Sequence, residues 1–116
     1  MSVDVDALNW QIRKLEEDHY QHDKELLDAQ RKEEEEEQYS QREMLELSFM
    51  REDFKSEIKI LQLIDQQNDM LHKVKRERAD YLYNIDVERR TKKLKSEAQV
   101  DGLREKIRRE VSRNDD

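Results

Sequence analysis

His19 and His22 come closest, by type and spacing, to residues that could do chemistry. Three positions apart, with Asp18 and Asp23 beside them, they would share one helical face and could offer ligands to a metal. A third ligand is not assured, and the chain has no cysteine. Both histidines also fall between Leu15 and Leu26 on an apolar line. The favoured role is therefore packing, or a pH-sensitive contact, inside a helix seam. His72 stands alone. No glycine-rich phosphate loop, nucleophile elbow or HExxH zinc motif occurs. Carboxylates are plentiful, but catalysis needs a concave site that shifts their pKa values, and long helices offer none. The expectation is a non-enzyme with no catalytic residue, metal or cofactor. Two basic clusters, "KVKRER" (Lys73–Arg78) and "ERRTKKLK" (Glu88–Lys95), raise nucleic acid as a partner. In a chain of net charge −7 they are better matched to its own acidic segment, so no nucleic acid is expected.

The elements that must position such residues are helices. Of 116 residues, 46% are charged and 34% hydrophobic; there is no proline and a single glycine, Gly102. Strong helix formers with the two worst breakers nearly absent predict long helices, and no alternating β-branched run suggests a strand. Low hydrophobicity and net charge make disorder the competing reading, but the apolar residues are periodic. No run of about 18 apolar residues exists to span a membrane. The opening "MSVDVDALNW" has no basic region followed by an apolar core, so no cleavable signal peptide is expected.

Leu8, Ile12, Leu15, His19, His22, Leu26 and Ala29 follow alternating steps of four and three, the spacing of a coiled-coil seam. Carried forward, this register meets the polar Glu33, Glu36, Ser40 and Glu43. It then regains Leu47, Met50 and Phe54, misses at Glu57, and continues through Leu61, Ile64, Asn68, Leu71, Leu82 and Ile85. Val100, Leu103, Ile107 and Val111 form a separate stripe. Residues 1–57 hold 18 acids and 8 bases (net −10), whereas residues 58–116 hold 12 acids and 15 bases (net +3).

Folding the chain back near residues 50–56 would set Glu33–Glu37 opposite Lys73, Lys75 and Arg76. It would also bring Leu26 and Ala29 near Tyr81, Leu82 and Ile85, Leu47 near Ile64, and Ile12 near Ala98. A parallel dimer of one unbroken helix would instead stack Glu33, Glu36 and Glu43 on their own copies, which is costly. The predicted fold is thus all-α, a single antiparallel two-helix hairpin over residues 1–116. Helix one covers about 5–49 and helix two about 54–99, either extended or followed by a short helical segment to 113. Asp53 is the expected cap of the second helix.

Arms of about 45 residues, or roughly 65 Å, would bury one thin seam, so apolar residues outside it are informative. Ile60, Leu63, Met70, Val74 and Tyr81 form another heptad-spaced stripe, interrupted by Gln67 and Glu77. Trp10, Tyr20, Leu27, Leu45 and Phe49 are also surplus to one seam. Either self-association or docking of another helical chain would use them. The candidate partner-binding residues are Ile60, Leu63, Met70, Val74, Tyr81, Leu45 and Phe49.

The order "LNWQIRKLEEDHYQHDKELLDAQR", then "FMREDF", then "YLYNIDVERRTKKLKSE" resembles the small α-helical proteins associated with LXG toxins of the Gram-positive type VII secretion system. That resemblance implies a WXG-like helical hairpin that binds the helical LXG domain of a toxin and helps target it for export. A second small helical protein would join the complex. The location implied is the bacterial cytoplasm, with export alongside the partner as an extension. Trp10 is followed by Gln11 and Ile12, so the Trp-x-Gly turn is missing, and Tyr39 with Glu43 is the nearest approach to a Tyr-x-x-x-Asp export signal. The expected function is a targeting factor or chaperone. The alternative is a structural coiled coil, or a stalk-like hairpin similar to those of type III export ATPase complexes.

Overall fold

The structure, a computed structural model, describes residues 5–114. The protein is all-α, with two long helices packed against each other as an antiparallel hairpin. Helix α1 spans Val5–Asp53 and helix α2 spans Ile58–Asn114. With no proline, nothing in either sequence removes a backbone donor or forces a kink. α1 therefore continues past the expected residue 49, and α2 runs unbroken through the segment expected beyond residue 99.

Residues 54–57 reverse the chain. The Phe54 N–H donates to the Met50 carbonyl at 2.9 Å, completing the last turn of α1. The Glu57 N–H donates to the Phe54 carbonyl at 2.9 Å, and the Leu61 N–H to the Glu57 carbonyl at 3.0 Å. Glu57 thereby accepts the first bond of α2 and takes its cap position. Asp53, the expected cap, is instead the last residue of α1. No described residue has a positive φ, so the reversal uses conformations open to any L-residue and needs no glycine. Arg51 pairs with Asp65 across this end.

Contacts divide the chain into two units. One joins the segment up to Leu27 with the segment from Asp86 onward; the other is Asp28–Ile85. In the first, Leu8, Ile12 and Val100 are buried, with Leu15, Leu103 and Ile107 half-buried. Ile12 shares a groove with Asp101, Arg104 and Ile107, whereas Ala98, its expected neighbour, is exposed. Val111 is exposed too, and Glu110 takes the buried position at that end, with Arg113 donating to its carboxylate at 3.3 Å. The steps Ser96, Val100, Leu103, Ile107, Glu110 begin with a four after Arg89–Ser96, a stutter that turns the buried line away from strict heptads.

In the second unit, Ile64, Leu71, Arg78 and Ile85 are buried at seven-residue intervals on α2, facing a line on α1 that includes the buried Ser40. Leu47 is half-buried, but Met50 and Phe54, expected on the seam, are exposed where the helices give way to the turn. No described side chain is fully buried, as one seam between two helices dictates.

Candidate functional site

The stripe predicted on α2 exists as a solvent-facing surface within the unit Asp28–Ile85. Leu63 is 64% exposed and Met70 62%; Val74 and Tyr81 are also exposed, while Ile60 is half-buried. Helical geometry accounts for this. Ile60, Leu63, Met70 and Tyr81 each precede a seam residue of α2 (Leu61, Ile64, Leu71 and Leu82) by one, a rotation of about 100° away from the partner helix, and Val74 precedes the exposed Lys75 at the same heptad position. Leu45 and Phe49 are exposed as well, but the structure does not join them to the stripe. Leu45 follows the half-buried Met44 by one residue, and Phe49 points away from the seam. In an antiparallel pair, positions before the seam on the two helices share one flank and positions after it share the other. The α1 neighbours of the stripe are therefore Lys32 opposite Tyr81, then Glu36, Tyr39, Glu43, Glu46, Met50 and Asp53.

Beneath this flank lies a polar layer. Arg78 is only 8% exposed. Its Nε donates to Glu33 Oε2 at 3.2 Å, and its Nη1 donates to Glu37 Oε2 at 2.8 Å and to Ser40 Oγ at 3.3 Å. Glu36 lies 3.8 Å from Nη2 and is half-exposed. The hydrogen bond that Arg78 donates to Glu37 is the main reason the guanidinium is held above its usual pKa range; Glu33 adds to this against the effect of burial. Arg78 stays charged, and its charge is matched where it is desolvated. The glutamate segment thus meets Arg78 and not the expected Lys73, Lys75 and Arg76, which are all exposed. Lys73 sits 4.0 Å from Glu77 on its own helix. Glu37 replaces Glu36 on the seam because Ala29, Glu33 and Glu37 follow two successive steps of four. Arg78 was readable from its place between Leu71 and Ile85 in the heptad line, the one signal the basic cluster around it obscures.

Within the other unit, Arg89 makes a two-pronged contact with Asp23, at 2.8 and 3.2 Å. His22 Nε2 lies 3.3 Å from Glu88 Oε1, with both side chains over 40% exposed, so His22 is a partly solvated hydrogen-bonding residue and not a packed one. His19 is half-buried beside an open groove that also includes Lys92 and Ser96. Asp18 turns to Lys14 at 3.5 Å, away from any shared coordination with the histidines. Among the described residues no group of three or more His, Cys, Asp or Glu is placed to hold a metal ion. None of the described helices is long and apolar enough to cross a membrane. The arrangement offers surfaces for association, with its buried charges already spent on each other.

No known protein family, curated protein or solved structure matches the chain.

Two outcomes follow from the charged contacts. Arg78→Ala leaves Glu33 and Glu37 facing each other's charge without a donor. The glutamates keep some solvent, so the expected loss is about 2–4 kcal/mol in urea unfolding, below the full cost of stranding a buried ion. Replacing Arg78, Glu33 and Glu37 together by leucine should restore most of that stability. A loss under about 0.5 kcal/mol for Arg78→Ala, the range of an ordinary surface change, would contradict the assignment.

The second outcome is a pH dependence. The hydrogen bond from Arg89 holds Asp23 below its ordinary value of 3.8, with burial opposing it. A depressed carboxylate contributes stability at pH values above 3.8 and loses it as pH falls through the folded-state value. Asp23→Asn should therefore lower the melting temperature at pH 7, with the difference from the native protein closing below about pH 4. A difference that persists or grows under acid would show that the pair does not act through its charge.

Proposed function

We propose that this protein is a non-enzymatic helical binding partner, a targeting factor or chaperone. Its client in this reading is the LXG domain of a toxin exported by the type VII secretion system of Gram-positive bacteria, with a second small helical protein in the complex. The protein would act in the bacterial cytoplasm and could leave with its client. The observation that carries the reading is the stripe from Ile60 to Tyr81, which the two-helix seam leaves largely in solvent. An apolar line at heptad spacing is the surface a partner helix covers. Arginines of both basic clusters are engaged by the chain's own carboxylates, Arg78 by Glu33 and Glu37, Arg89 by Asp23 and Arg90 by Asp86, which favours a protein partner over a nucleic acid.

The charge-laced seam also suits a second reading, a stalk-like or structural hairpin in another secretion or assembly machine, where pairing of α1 with α2 is itself the purpose. Co-expression with the LXG domain of a type VII-exported toxin separates the two. The first reading expects a defined heteromer that survives size-exclusion chromatography, and expects the partner to be less soluble when expressed alone. Failure to form any complex with that domain, together with a stable homomer, would overturn it in favour of the second.

A further inference from the structure

The flank carrying the stripe has a charge pattern that specifies its occupant. Beside Ile60 to Val74, the α1 positions on this side supply Glu36, Glu43, Glu46 and Asp53 and no lysine or arginine; Lys32 enters only opposite Tyr81, and Lys73 borders the α2 edge beside Glu77. The whole chain has 23 Lys and Arg, so an α1 edge without any beside Ile60 to Val74 is a local feature and not a reflection of composition. Glu36 is near Arg78 and Glu77 near Lys73, but Glu43, Glu46 and Asp53 make no ion pair among the described residues. These unmatched acids form one edge of an apolar surface whose other components are Ile60, Leu63, Met70 and Val74.

We propose that this face docks an amphipathic helix whose apolar stripe is edged with lysine or arginine on the side lying over α1. The inference rests on the binding-partner reading and adds the chemistry of the partner. Burial of the stripe supplies the attraction, and the basic edge answers Glu43, Glu46 and Asp53, fixing which way the helix lies. A second copy of this chain fits poorly. A twofold pairing through the same face brings Glu43, Glu46 and Asp53 of both copies into one interface with only Lys32 and Lys73 of each to offset them, and pairing with a different face builds a ring or a filament.

The test is selection from a displayed library built on one amphipathic helix, with fixed apolar seam positions and randomised edge positions, against the full-length protein. Lysine and arginine should be enriched along one edge. A selected peptide should bind more weakly as salt rises, and Leu63→Glu with Met70→Glu should weaken it by more than about tenfold. Glu43→Lys with Glu46→Lys, which leaves the stripe intact, should also weaken it. Circular dichroism checks that each variant keeps its helicity; loss of folding on Leu63→Glu with Met70→Glu would assign the stripe to the core and overturn the proposal. Enrichment of acidic or neutral edges would overturn it as well. Peptides that bind both variants as well as the native protein would place docking on another surface, sinking this proposal while leaving the binding-partner reading standing. No selected helix at all would count against both. A homodimer that Leu63→Glu dissociates would make a second copy the occupant.

Discussion

A desolvated guanidinium must be met by acids, and in this protein that demand fixes how α1 lies on α2 within residues 28–85. Apolar seams tolerate sliding, because one leucine packs on another at nearly every heptad offset. Arg78 does not. Shifting the helices by a turn would put Ala29 or Gln41 in place of one of the two glutamates and leave the buried cation incompletely matched, and a shift of two turns would withdraw both. Ser40 completes the shell from the same side. A single polar layer can thus select a register that Ile64, Leu71 and Ile85 support without specifying. The five-glutamate run is the other half of this contact, with Glu33 and Glu37 turned to Arg78 and Glu34 and Glu35 exposed.

The remaining architecture is economical in a way that bears on function. The turn at residues 54–57 uses no left-handed residue, and its hydrogen bonds come from the backbone. One seam between two helices cannot bury apolar residues placed beside it, so Ile60, Leu63, Met70, Val74 and Tyr81 remain for something else. Surface salt bridges such as Lys14–Asp18 or Arg104–Glu16 contribute about 0–1 kcal/mol each and cannot substitute for apolar burial. Stability that rests on one thin seam is the setting in which a second helical surface would add most.

Much of the fold is legible in the sequence. Absent proline and heptad spacing from Leu8 to Ala29 imply long helices, and the acid-to-base asymmetry implies an antiparallel arrangement. The details that escape are those where a small rotation matters. The stutter through Ala29, Glu33 and Glu37 moves Glu36 off the seam, and a pattern extended in strict heptads cannot see it. Arg78 is hidden because charge is normally read as exposure, although its heptad position says otherwise. The cap shifts from Asp53 to Glu57 because backbone bonds of α1 persist a turn longer than propensity alone indicates. Spacing identifies the stripe on α2 correctly as off-seam. Its separation from Leu45 and Phe49 needs the paired helices, since only their mutual orientation decides which flanks coincide.

Arg78 reaches Glu33, Glu37 and Ser40 of its own chain, and the register this sets is directly measurable. Cysteines at the exposed positions Gln41 and Ala79, each one residue beyond the contacting Ser40 and Arg78, allow spin labels on the same flank. Packed helices have axes about 8–10 Å apart, so the label–label distance should be short and narrowly distributed. It should be unchanged when labelled protein is diluted into unlabelled protein. A long or multimodal distance, or a short one that disappears on dilution, would contradict an intramolecular register fixed by Arg78.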